Sequence, residues 1–210
     1  MNEYTTISAA CEGSITEKRS EFIAQLVPAV TVADCTAHID AVKAKHHKAR
    51  HNVWAYILRS GETRYSDDGE PQGTGGIPVL TVLQKAGLSD VCCVVTRYFG
   101  GVLLGAPGLT RAYSAAAAES VKAAEKLHFC EAVPVELRTD YSMYGKLSFL
   151  LPEYGIRDSG SEFADRVTLR FDIPADCFPA LEARLTELFN GKPDLTAGDL
   201  HFVAFESADS

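Results

Sequence analysis

No stretch of this sequence approaches the roughly 20 consecutive apolar residues that span a bilayer. Its first residues, Met1-Asn2-Glu3-Tyr4-Thr5-Thr6, have neither the basic start nor the apolar stretch of a signal peptide. The expectation is a soluble, cytoplasmic protein with no membrane contact. No C-x-x-C pair occurs among Cys11, Cys35, Cys92, Cys93, Cys130 and Cys177, and a chain of 210 residues needs no disulfide to fold. Cys92 and Cys93 lie inside Val91-Cys92-Cys93-Val94-Val95, which reads as a buried strand whose neighbours point to opposite faces. Reduced thiols packed in a core are expected. Also missing are the G-K-[ST] of a P-loop, the glycine spacing of a Rossmann fingerprint and the G-x-S-x-G of a hydrolase elbow.

Basic residues are short in one part of the chain only. Residues 1–130 hold 13 Lys/Arg and 13 Asp/Glu, whereas residues 131–210 hold 7 and 15. The whole formal charge of −8 therefore sits in the last 80 residues. An acidic balance opposes non-specific binding to polyanions. Contact with RNA would have to come from a local patch in the first part.

The first part reads as strands followed by helices. Strands are expected over 4–10, 15–18 and 22–27, the last closed by Pro28. Thr31-x-x-Asp34 then opens a helix with a capping box, and Cys35, Ile39 and Val42 share its apolar face. Residues 53–58 form a further strand. Pro78 suits the first turn of a helix that Gly87 ends, and Gly105-Ala106-Pro107-Gly108 opens a long helix to about Glu125. The Ala115–Ala118 run leaves that helix little bulk, so another element can pack closely on it. From residue 130 the rhythm becomes βαββαβ, with Val167, Leu169, Phe171 and Ile173 alternating against Arg166, Thr168, Arg170 and Asp172. That order is the split βαβ or ferredoxin-like arrangement, two helices on one face of a four-stranded antiparallel sheet. Two domains are expected, 1–128 and 130–207.

Two Gly-rich stretches in the first domain could carry chemistry. One is Ser66-Asp67-Asp68-Gly69-Glu70-Pro71 with the glycines after it; the other runs from Thr96-Arg97-Tyr98-Phe99-Gly100-Gly101 to Gly108-Leu109-Thr110-Arg111. The second sets a Gly-rich loop before a helix, where free N–H groups and the helix dipole can hold an anion; tight turns and close packing explain the same glycines. Asp67, Asp68 and Glu70 offer the oxygens Mg²⁺ prefers, yet loop carboxylates also bond loop N–H groups. No metal and no cofactor is assigned. His46, His47 and His51 match no standard zinc spacing. Lys43, Lys45, Lys48 and Arg50 form a basic helix exit that serves either the helix dipole or a polyanion. Trp54 reads as core, and no nucleophile has a visible base partner.

The stretch Gly87–Gly105, with Thr96-Arg97-Tyr98-Phe99-Gly100-Gly101 at its centre, resembles the signature of the IMPACT family, whose bacterial members are called YigZ-like. Ser66-Asp67-Asp68-Gly69-Glu70-Pro71-x-Gly73-Thr74 and Ala49-Arg50-His51 before the Trp-bearing strand resemble it as well. The resemblance covers nearly the whole chain. It implies an α+β protein: an N-terminal βα sandwich of the ribosomal-protein and elongation-factor domain-IV type, then a ferredoxin-like acidic domain resembling elongation factor G domain V. It also implies translation regulators rather than enzymes.

The function expected is therefore a non-enzymatic, translation-associated regulator that binds RNA, the ribosome or a translation partner through the first domain. Arg50, His51, Asp67, Asp68, Glu70, Arg97, Tyr98 and Arg111 are its candidate binding residues, with Lys43, Lys45 and Lys48 as a basic patch. Those three lysines and Arg50 would give a log K against log salt slope of about −3. The alternative is a phosphate-handling, small-molecule-kinase-like enzyme using the Gly-rich loops, in which Thr110-Arg111 stands where the Ser-Ser pair of such kinases usually follows.

Overall fold

The computed structural model describes residues 3–205. The expected end of the second domain, residue 207, lies outside them. The chain divides into two compact units, Tyr4–Leu127 on the one hand and Glu3 with residues 128–205 on the other.

In the first unit the strands are β1 (Glu3–Ile7), β2 (Cys11–Glu17), β3 (Ser20–Pro28), β4 (His51–Ile57), β5 (Thr63–Ser66) and β6 (Val91–Tyr98). The helices are α1 (Val32–Lys45), α2 (Gly76–Lys85) and α3 (Gly105–Ala123). Strands β2 to β6 form one antiparallel sheet in the order β2-β3-β6-β4-β5. The central strand β6 is buried from Val91 to Arg97 because helices cover both faces. Val91, Cys93 and Val95 face Val79 and Leu83 of α2 and Leu109, Ala112 and Tyr113 of α3. Cys92 and Val94 face Cys35, Ile39 and Val42 of α1. The period of two in the strand and of 3.6 in the helix thus meet as the sequence pattern requires.

Local chemistry sets the helix starts. Thr31 Oγ1 accepts from the Asp34 N–H at 3.1 Å, and Asp34 Oδ2 accepts from the Thr31 N–H at 2.9 Å, a complete capping box. The close partner of the alanine run in α3 is β2. A Cβ on Gly13 would lie 2.3 Å from Ser120 N and 2.5 Å from the Glu119 carbonyl carbon.

The second unit contains β7 (Lys126–Thr139), α4 (Tyr141–Leu150) with a 3-10 turn (Leu151–Tyr154), β8 (Arg157–Phe163), β9 (Val167–Pro174), α5 (Phe178–Leu188), β10 (Asp194–Ala197) and β11 (His201–Phe205). Strand β7 pairs antiparallel with β9 on one side and with β10 and β11 on the other, and β8 pairs β9. The single last strand expected from the sequence is thus two, both on β7. Val167, Leu169, Phe171 and Ile173 pack with Leu147 of α4 and Leu181 and Leu185 of α5, so both helices share one sheet face.

All six cysteines are free thiols; Cys35, Cys92 and Cys93 are buried and the other three half-buried. Burial pushes Cys93 up to about 12. A hydrogen bond with Cys35, then burial, push Cys92 up as well, so neither is a ready thiolate nucleophile. Trp54 is half-buried against the α1-side core and stacks on Tyr56 at 5.7 Å between ring centroids. No described helix is long and apolar enough to cross a membrane.

Candidate functional site

The loop after β5 is tied down by its own carboxylates. Asp67 Oδ1 accepts from the N–H groups of Gly75 (3.0 Å) and Gly76 (2.8 Å), and Oδ2 from that of Gly73 (2.8 Å). This satisfies donors at the start of α2, whose N-cap is glycine and has no side chain to do so. Burial pushes the Asp67 pKa up, but the three N–H bonds outweigh it and hold the carboxyl below its ordinary value.

Asp68 takes the left-handed conformation (φ 44°) and faces three ways. Its Oδ1 pairs with Lys43 Nζ at 2.8 Å, its Oδ2 accepts from the Asn52 N–H at 2.7 Å, and its carbonyl accepts from His51 Nδ1 at 2.9 Å. Glu70 is buried, and its Oε1 accepts from Arg97 Nη1 at 2.6 Å and from the Tyr113 hydroxyl at 2.9 Å. Burial, then the neighbouring Glu70, push the Tyr113 phenol well above its ordinary pKa. The three carboxylates therefore hold the loop to α2, to β4 and to the core, and among the described residues no group of three His, Cys, Asp or Glu side chains is set to hold a metal ion.

The expected site residues do not all gather. Strand β6 continues through Tyr98 instead of breaking at Arg97, so these neighbours face opposite ways. Arg97 is 7% exposed and lies over the Phe22 ring. Tyr98 instead bonds His46 Nδ1 at 2.9 Å on the α1 side, and His46 Nε2 meets the Gln25 amide at 3.0 Å. Burial, then Lys45, hold the His46 pKa down. The burial of Arg97 and its pairing with Glu70 make its replacement a change to the core. Arg111 is exposed on α3, and among the described residues no ion-pair partner is seen for it. Of the basic patch, Lys45, Lys48 and Arg50 are exposed, while Lys43 is engaged by Asp68. His47 is exposed, so the three histidines have different surroundings and do not converge.

Several residues at this end of the sheet were not picked out by sequence reasoning. Tyr113 seals the Glu70–Arg97 pair; its only signal was an aromatic on the apolar face of α3. Lys18 and Arg19 form the exposed β2–β3 turn, next to the loop after β6 because Glu21 pairs with Tyr98. Phe99, Val102 and Leu103 on that loop are exposed. The α3 N-terminus that follows has no side-chain cap. Gly108 is there for packing, since a Cβ on it would meet Leu104 Cβ at 2.9 Å.

The Asp67 clamp can be tested directly. Asp67→Asn should cost the first unit about 1–2 kcal/mol near neutral pH, since an amide NH₂ would face N–H donors. The folded-state pKa of Asp67 is depressed, so its contribution is present above the unfolded value and lost as pH falls through the folded one. Urea midpoints of the two proteins should therefore converge on acidification below the ordinary carboxylate range; a gap that widens there would contradict the clamp.

Residues 18–121 match the Impact N-terminal domain and residues 137–192 a domain of unknown function, DUF1949. The IMPACT family member YvyE of Bacillus subtilis is 33% identical over 205 residues, covering 97% of this chain and 94% of that protein. The IMPACT family member YigZ of Escherichia coli is 30% identical over 184 residues, covering 86% and 90%. A solved structure described as the crystal structure of an hypothetical protein aligns with TM-score 0.61 at 28% identity, over 98% of each chain.

Proposed function

This chain belongs to the IMPACT family, and from that premise we propose that it is a non-enzymatic, translation-associated regulator whose first domain binds RNA. We read the first domain as a βα sandwich of the elongation-factor domain-IV type. The second we read as ferredoxin-like, on the strand order β11-β7-β9-β8 with two helices on one face. The observation that carries the reading is the exposure of Lys45, Lys48 and Arg50 at one end of a protein of net charge −8. Of the loop carboxylates beside them, Asp68 is paired with Lys43, Glu70 with Arg97, and Asp67 is bonded to backbone N–H groups. The acidic second domain is repelled by phosphates and suits a basic protein partner.

Titration of a short labelled RNA by fluorescence anisotropy at several salt concentrations tests this. Lys45, Lys48 and Arg50 together should contribute about −2 to the log K against log salt slope, less than a four-cation patch because Lys43 is occupied. Lys45→Glu with Lys48→Glu should make the slope shallower by about 1 to 2. Turnover of ATP or a phosphorylated metabolite that disappears in Arg111→Ala would replace this reading with a phosphate-handling enzyme.

A further inference from the structure

We propose that Phe99 is a stacking platform for an unpaired base of single-stranded RNA, with Lys18 and Arg19 holding the neighbouring phosphates. The proposal rests on the RNA reading above and names its point of contact. Seven consecutive residues of β6 are buried, and the chain then turns outward to a phenylalanine that is 50% exposed. At that level of exposure about half of the aromatic surface stays available to a ligand.

The ring is fixed rather than loose. The Arg97 guanidinium carbon lies over it, 5.6 Å from the centroid. Arg97 is itself locked by Glu70 at 2.6 Å and by the Phe22 ring at 5.5 Å. A cation seated against an aromatic ring draws on its negative face and orients it. The following residue fixes the loop: the Gly100 N–H donates to Ser20 Oγ at 3.1 Å. A Cβ on Gly100 would sit 2.0 Å from the Arg19 carbonyl carbon, so the loop lies directly on the β2–β3 turn.

That turn supplies charge. Lys18 and Arg19 are both exposed and both left-handed, at φ 45° and 67°, a tight reversal whose backbone lies against the loop that carries Phe99. Val102 and Leu103, 40% and 83% exposed, extend the apolar surface past Phe99. A held aromatic, an apolar flank and adjacent cations are what a single strand recognises, because every base has a stacking face and a phosphate beside it. A base pair within a duplex has both faces covered by its neighbours and is excluded. An apolar pocket of a protein partner would fit Phe99 and Leu103 but has no use for the two cations.

The test uses the full chain with single-stranded oligoadenylate and a duplex of matched length. The indole introduced by Phe99→Trp should be quenched by the single strand and not by the duplex, with Trp54 of the unchanged protein as the reference signal. Phe99→Ala should weaken single-strand binding about tenfold while leaving the salt slope unchanged. Lys18→Ser with Arg19→Ser should lower the slope by about 1 to 2. If Phe99→Ala binds like the parent and the indole is not quenched, this inference is wrong while the RNA reading stands. If the parent protein binds no RNA at low salt, both are wrong.

Discussion

Glu70→Ala should destabilise the first domain by about 3–5 kcal/mol, the cost expected when one member of a buried ion pair is removed and the other stays charged. Arg97 would be the stranded partner. It is 7% exposed, its Nε already lacks a hydrogen-bond partner, and Glu70 is the carboxylate that balances its charge at 2.6 Å. Tyr113→Phe removes only a hydroxyl from the same carboxylate and should cost about 1 kcal/mol. The double change Glu70→Leu with Arg97→Met takes out both charges and should regain most of the loss. Urea unfolding can follow this domain selectively, because the only tryptophan, Trp54, lies in it. A Glu70→Ala cost below about 1 kcal/mol would mean that Arg97 finds water, and that the pair is not structural.

Gly13→Ala is expected to be among the most damaging single-atom changes. The added Cβ would stand 2.3 Å from Ser120 N and 2.5 Å from the Glu119 carbonyl carbon, and both are backbone atoms of α3 that no rotamer change can move. Overpacking usually costs about 1–3 kcal/mol where side chains can adjust, so about 3 kcal/mol or more is expected here. Helix α3 must lift off β2, which also loosens Tyr113 on Glu70. The measurement is the Trp54 thermal midpoint, which should fall by roughly 10 °C. A midpoint within about 2 °C of the parent would show that the two elements are less tightly apposed than this.

The fold was legible where side chains alternate or cap. The Thr31–Asp34 capping box, the two-faced run Val91–Val95 and the alternation from Val167 to Ile173 each state their own geometry. Strands β5 and β10 were not legible. Thr63–Ser66 and Asp194–Ala197 have four residues each and no apolar period, and only their partners β4 and β7 make them strands. The division near residue 128 coincides with a step in charge, which composition does record.

The site was harder. Asp67, Asp68 and Glu70 are spaced as ligands would be, and sequence cannot say whether a carboxylate will meet solvent, a metal or its own loop's N–H groups. Arg97 and Tyr98 are neighbours in one strand and so lie on opposite faces. The strand period separates them once β6 is taken two residues further, and the apolar run that marks the strand ends at Val95. Lys18 and Arg19 lie some 80 positions from Gly100, and only the pairing of β3 with β6 brings them to it.

The pairing of β7 bears on the order in which a ribosome could deliver a finished protein. Each strand of the first domain's main sheet is emitted by residue 98 and α3 by residue 123, so this domain can close while later codons are still being read. The second cannot. Val203 pairs with Cys130 and Phe205 with His128, so a strand made near its beginning waits for one made some 70 residues later. Until residue 205 emerges, that side of β7 presents unpaired N–H and C=O groups, the kind of edge that recruits foreign strands. The nascent chain thus carries an open sheet edge through most of the second domain's synthesis, on a segment with an excess of eight acidic residues over basic ones.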